Sequence, residues 1–260
     1  MRRRRDTPLW IALGSITGAY LLFLLAMVGS TAVYSSPSDL LHALQAPEIQ
    51  HSIALSIATC TLTAILSLLL AVPVGYLLAR GRFRGRVWLD AALDIPILLP
   101  PMVVGLCLLI LFQTPIGRAV DHVLPFTYTV AGVVLAQFVI GAAFAVRTMR
   151  GTFEHQSSRP EDVAMTLGCS RARAIWLVTL PAARRGMFAA ASIAWARSLG
   201  EFGPILVFAG ATRMKTEVLP TSVYLELSVG NLEAAVAVSI VMLVLAVIVL
   251  AAVRAMGERV

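Results

Sequence analysis

The 260-residue chain is 58% hydrophobic and 13% charged, carries a net charge of +7 and has a mean hydropathy of +0.85. An average globular chain carries about 25% charged residues, so a water-soluble fold of this size is excluded, and three cysteines are too few for a disulfide scaffold. The apolar residues form continuous blocks instead of alternating strands of about ten residues, which predicts an all-α polytopic membrane protein and disfavours a β-barrel.

Six blocks are long enough to cross a bilayer, which takes about 20 residues at a rise of about 1.5 Å each. They run Leu9–Val33, Ile53–Leu78, Ile95–Phe112, Thr129–Val146, Met187–Ala211 and Leu232–Val253. The connectors are short, so residues 1–260 read as a single transmembrane domain. Arg2–Arg5 precede the first block as they would in a signal peptide, but the block is longer than a usual signal core and its removal would leave five spans. With six spans, 17 of the 21 Lys and Arg fall on the side that holds both termini and three on the other, with Arg197 inside the fifth span. Positive charge marks the cytoplasmic face, so both termini are expected there. This asymmetry accounts for the basic balance without nucleic acid. Cys60 and Cys107 lie in apolar blocks, Cys169 lies in a polar segment, and His42, His51, His122 and His155 are scattered, so no metal spacing is visible. Asp90 and Asp94, entering the third span, are expected to pair with Arg84 and Arg86. Pro96, Pro100 and Pro101 imply an irregular start to that span.

The connector over 147–185 is long and neither Gly/Ser-rich nor a simple charge run. Pro160-Glu161-Asp162 reads as a helix start and Gly168 as its stop. Ser170 can cap a second short helix, from Arg171 to about Thr179, ended by Pro181. Two such helices fit either a docking surface for a soluble partner or an interfacial anchor. In the fifth span, Arg197 and Glu201 share a helix face within pairing reach, and Gly200, Gly203 and Pro204 should break the helix beside them. Ionisable groups and irregular backbone at membrane depth need pairing or a cavity, which fits a translocation path or a structural pair locking a kink. Ala189–Ala196 offers small residues for close helix contact.

Asp162-Val163-Ala164, three residues, Gly168, nine residues and Val178-Thr179-Leu180-Pro181 resemble the EAA loop of binding-protein-dependent ABC importer permeases, with Asp for Glu and Val for the first Ala and for Ile. The resemblance implies a coupling helix over Arg159–Ser170, contacting the ATPase through Arg159, Glu161, Asp162, Val163, Ala164, Leu167, Gly168 and Ser170, with Leu180 and Pro181 completing the motif. The stretch Arg197-Ser198-Leu199-Gly200-Glu201-Phe202-Gly203, together with Asp94-Ile95-Pro96, Pro100-Pro101 and Gly105, is similar to the molybdate, tungstate and sulfate branch of these permeases. That resemblance implies a path or gate for a tetrahedral oxyanion at Pro100, Pro101, Arg197, Ser198, Gly200, Glu201, Phe202 and Gly203. Arg197 or freed backbone N–H groups would attract an anion, whereas an ionised, unpaired Glu201 would repel one. The implied assembly is a homodimer with two soluble ABC ATPase subunits, which carry ATP and Mg, and an extracytoplasmic substrate-binding protein docked around Ser35–His51, Gln113–Phe126 and Thr212–Gly230. This chain has no nucleotide-binding glycine loop or nucleophile–base set and is expected to be non-catalytic and to need no cofactor of its own. Alternatives are an importer for thiamine, iron or a polyamine, or a proton-coupled carrier using Asp90, Asp94 or Glu201.

Overall fold

The computed structural model describes residues 7–34 and 37–258, so Arg2–Arg5, Ser35 and Arg259 lie outside the described residues. Among the described residues the chain is helical without strands: α1 (Thr7–Tyr34), α2 (Pro37–Gln45), α3 (Pro47–Arg80), α4 (Arg86–Leu98), α5 (Pro101–Gln113), α6 (Pro115–Val123) and α7 (Val130–His155) come first. Then follow α8 (Arg159–Thr166), α9 (Arg171–Ala174), a π-helical turn (Ile175–Thr179), α10 (Leu180–Ala182) and α11 (Arg184–Leu199). A second π-helical turn (Ile205–Ala209), α12 (Leu219–Ser228) and α13 (Leu232–Glu258) complete the chain.

Four helices, α1, α3, α7 and α13, contain stretches long and apolar enough to cross a membrane, and α4 with α5 would make a fifth span if the bent pair is counted as one. The centre is α3 against α7 and α11, where Ala71, Ala145, Ala190 and Ala194 are fully buried. Small side chains let the backbones approach, which supplies packing where lipid offers no hydrophobic drive. Leu108, Phe112, Val133 and Phe208 form a second cluster, with Phe112 and Phe208 ring centroids 5.1 Å apart. The described part of α1 packs loosely: its apolar window is unburied.

The block Ile95–Phe112 is not one continuous helix, and the irregularity expected from Pro96, Pro100 and Pro101 is a sharp break. The chain bends by 111° between α4 and α5. Leu99 and Pro100 each precede a proline and are driven out of the helical region, with ψ of 142° and 134°. The helix therefore stops at Leu98 and restarts at Pro101, where the missing N–H costs nothing. Pro96 sits inside α4 instead of ending it. With 13 residues, α5 is about 20 Å long, shorter than a bilayer core.

The fifth block breaks as expected: α11 ends at Leu199, and helical backbone resumes at Gly203 and leads into the π-turn at Ile205. The second connector helix differs from expectation. After α9 the chain widens into the π-turn, and Pro181 lies in the first turn of α10, so the helical path continues to Ala183. The wider turn accommodates a proline that an α-helix interior would not. α7 runs to His155, nine residues past the apolar block. The Asp90 and Asp94 pairing is also corrected: Asp90 pairs with Arg150 of α7, and Arg86 pairs with Glu154 at 3.3 Å. α7 extends far enough to meet α4, and that long-range approach supersedes the local partners. Thr212–Gly230 is not an open loop, because α12 within it buries Leu219, Thr221 and Ser222. Asp121 at the end of α6 accepts the backbone N–H groups of Thr127 (3.0 Å) and Phe126 (2.7 Å), which hold its carboxyl below the usual carboxylate range.

Candidate functional site

Two regions gather the residues singled out by the sequence. The first is α8 at the Arg-rich end of the bundle. Ser158 precedes it, Pro160 lies in its first turn with Glu161 and Asp162, and Gly168 ends it at φ of +93°, a left-handed cap that favours glycine. Ser170 caps α9, its Oγ accepting the Arg173 N–H at 3.4 Å. The two acids have opposite environments. Glu161 is buried: Oε1 accepts the Tyr76 hydroxyl of α3 at 2.5 Å, and Oε2 accepts the Thr179 hydroxyl of the π-turn at 2.9 Å. Asp162 is exposed, with Arg159, Ser170 and Pro181. Ala164 and Leu180 are half-buried. Val163 and Leu167, one turn apart, are 56% and 81% exposed. Thus α8 is fastened to the bundle through Glu161 and presents an apolar pair outward beside an acid.

The second region is the break after α11. Arg197 Nη2 lies 3.4 Å from Glu201 Oε2, and the guanidinium stands over the Phe144 ring at 5.1 Å. The Glu201 side chain is 3% exposed and that of Arg197 is 42% exposed. Ser198 and Gly203 are buried, Gly200 is exposed, and Phe202 is half-buried, tilted against Tyr224. Pro100 and Pro101 are exposed at the start of α5. A seam joins these two stretches. A Cβ on Gly105 would lie 2.7 Å from Pro204 Cα, and one on Gly203 would lie 3.0 Å from the Met102 backbone nitrogen. Gly105→Ala is therefore expected to force α5 off the break at a cost of about 1–3 kcal/mol. The readout is the apparent Tm of the purified protein, falling by about 2–4 °C per kcal/mol. Gly14→Ala, inside α1 where nothing lies within 4 Å, should not lower it, since alanine is the better helix former.

Sequence reasoning missed the polar interior. Ser52, Ser56, Thr59, Thr63 and Ser67 line one buried face of α3. Their spacing of four, three, four and four residues was the available signal. Gln137 of α7 is 1% exposed; its Oε1 accepts from Thr63 at 3.2 Å and its Nε2 donates to the Ser198 carbonyl at 3.2 Å, tying α3 and α7 to the end of α11. Glu217 is fully buried against Ser222, and Glu226 binds Arg213 at 2.8 Å and Asn231 at 3.0 Å. These partners lie too far along the chain or outside the spans to read from local pattern. Among the described residues no cluster of His, Cys, Asp or Glu could hold a metal ion; Cys60 is buried and Cys107 faces outward.

Several apolar spanning helices, a polar break in the core and a short helix exposing apolar side chains at one end define a multi-pass membrane transport subunit. Residues 71–260 match the family described as "Binding-protein-dependent transport system inner membrane component", and the chain belongs to that family. It is 34% identical to the molybdenum transport system permease protein ModB of Mycobacterium tuberculosis over 96% of this chain and 95% of that protein. It is 34% identical to the molybdate/tungstate transport system permease protein WtpB of Thermococcus kodakarensis over 80% of each. Its fold is shared with a bacterial ABC transporter that imports the acidic polysaccharide alginate, at a TM-score of 0.79 and 16% identity, covering 99% of this chain and 97% of that one. The chain is thus a non-catalytic inner-membrane permease subunit, and the proton-coupled carrier is set aside.

Proposed function

We propose that this chain is the transmembrane subunit of an ATP-driven importer for molybdate or tungstate, and that residues 1–260 form one permease domain working as a homodimer. Similarity along nearly the whole chain to a molybdenum permease supports the substrate class. The six spans are α1, α3, the α4–α5 pair, α7, α11 with the turn to Ala209, and α13, and the Lys/Arg asymmetry supports both termini being cytoplasmic. Two ATPase subunits bearing ATP and Mg dock on α8, and an extracytoplasmic binding protein delivers the oxyanion from the other side. The observation that carries the coupling role is the division of labour in α8: Glu161 fastens the helix while Asp162, Val163 and Leu167 face outward. ATPase closure pulls on that helix, and the force passes through the π-turn and α10 into α11, beyond whose end Gly203 and Pro204 meet α5 at Met102 and Gly105, just past Pro100 and Pro101. Arg197, Ser198, Gly200, Glu201, Phe202 and Gly203 line or gate the path.

The test is reconstitution in proteoliposomes with the cognate ATPase and binding protein. Uptake of radiolabelled molybdate should require ATP and both partners. It should be lost with Asp162→Ala and Gly168→Val, although both variants insert normally. ATP-independent uptake, or wild-type uptake by both variants, would overturn the coupling assignment. Failure of molybdate and tungstate alike, with another solute carried, would overturn only the substrate.

A further inference from the structure

Two cavities meet at the Arg-rich end of α3. One, of about 830 Å3, is an apolar groove between α3 and the stretch from the first π-turn into α11, lined by Leu68, Leu69, Val72, Ile175, Trp176 and Met187 among others. The other, of about 710 Å3, is polar and brings Arg80, Arg82, Arg86 and Arg171 around Glu161 and Asp162. Tyr76, Arg80, Gly81 and Arg171 line both cavities, so an apolar chamber and a basic chamber share one wall.

Four arginines face two carboxylates there, an excess of positive charge. Arg86 pairs with Glu154, and the Glu161 carboxylate is occupied by two hydroxyls. Among the described residues, Arg80, Arg82 and Arg171 make no salt bridge. Arg80 donates through Nη2 to the Gln156 carbonyl, while its Nε is buried with no partner. Guanidinium groups that line a cavity without a carboxylate partner are complemented by an anion. Trp176, 71% exposed on the apolar side, is a residue type enriched at the membrane–water boundary. A basic pocket between membrane helices suits an anionic lipid headgroup. A free anion would leave the groove unfilled, and an apolar protein segment would leave the guanidinium groups unanswered; a phospholipid satisfies both chambers.

We propose that this paired cavity binds one anionic phospholipid of the bilayer, with its phosphate against Arg80 and Arg171 and an acyl chain along Leu69, Val72 and Trp176. The lipid then occupies the wall that carries the Tyr76–Glu161 contact, although its binding does not depend on the role proposed for α8.

Native mass spectrometry of the intact purified permease, titrated with phosphatidylglycerol or phosphatidylcholine of identical chains, tests the site. Wild type should retain phosphatidylglycerol about tenfold better, roughly 1.4 kcal/mol, because both lipids carry the phosphate but the quaternary ammonium of phosphatidylcholine sets a cation beside the arginines. Arg80→Gln with Arg171→Gln should abolish the preference, and Arg80→Lys with Arg171→Lys should keep it, which separates lost charge from lost folding. Equal retention of the two lipids by wild type, or an undiminished preference in the glutamine variant, overturns the proposal. So does binding of glycerol 1-phosphate as tight as that of phosphatidylglycerol, which would mark a site for free anions. Efficient disulfide formation between copies through Leu69→Cys and Trp176→Cys in the bilayer would likewise overturn it, because a second copy would then cover the groove. Loss of bound phosphatidylglycerol when the ATPase subunit is added would give the basic chamber to that subunit and would also count against a resident lipid.

Discussion

Glu161→Ala is expected to abolish ATP-driven uptake and also to loosen the isolated permease, whereas Asp162→Ala should abolish uptake alone. The contrast follows from the two environments. Truncating Glu161 leaves the Tyr76 and Thr179 hydroxyls in a buried seam without their acceptor, at about 1–3 kcal/mol. That is a large share of what holds an eight-residue helix, since isolated helices this short are not stable in water. With the fastening gone, α8 no longer transmits force to the π-turn, and uptake should fall at least tenfold, roughly the effect of 1.4 kcal/mol. Asp162 is exposed, so its removal should change stability by no more than about 0.5 kcal/mol and act only when the ATPase is present. Glu161→Gln keeps an acceptor for one hydroxyl and should fall between. The measurements are uptake in proteoliposomes and the apparent Tm of the permease without its ATPase. An unchanged Tm in Glu161→Ala would refute the fastening role, and wild-type uptake would refute its part in coupling.

The distinction between these neighbours shows where sequence reading stops. Charge, proline and glycine placed α8 and its cap correctly, because those signals are local: Pro160 sits in the first turn and Gly168 carries the positive φ. The sequence also marked the break after α11, since two glycines and a proline beside an Arg–Glu pair leave the backbone few options. It could not show which of two adjacent acids is buried, because that depends on Tyr76, 85 residues away. The same limit explains the Asp90 pairing, which a distant α7 decides. Pro96, Pro100 and Pro101 marked an irregular stretch at the third span, but a hydropathy block did not show that two successive pre-proline positions turn the chain by 111°. The hydroxyl stripe of α3 was readable too, and was hidden inside a block scored only as apolar.

Arg197→Ala should be the most damaging change in the membrane core. It leaves the Glu201 carboxylate, 3% exposed, without its cation. Breaking a buried pair from one side costs about 3–5 kcal/mol, and the effect here should sit at or below the lower end because Arg197 keeps 42% of its side chain exposed. Loss of the guanidinium from the Phe144 face removes about 0.5–2 kcal/mol more. Glu201→Gln should be milder, since the remaining Arg197 charge is partly solvated. The double change Arg197→Ala with Glu201→Gln separates the two roles of the pair. It removes both charges, so the apparent Tm should return most of the way to wild type. If the pair only locks the break, uptake of molybdate should return with it. If the Arg197 guanidinium offers the passing oxyanion its one positive contact in the path, uptake should stay low in a protein that is again stable. The second outcome is expected, because the exposed side of the pair is the cation, and a cation held by one buried carboxylate still has donors free for an anion.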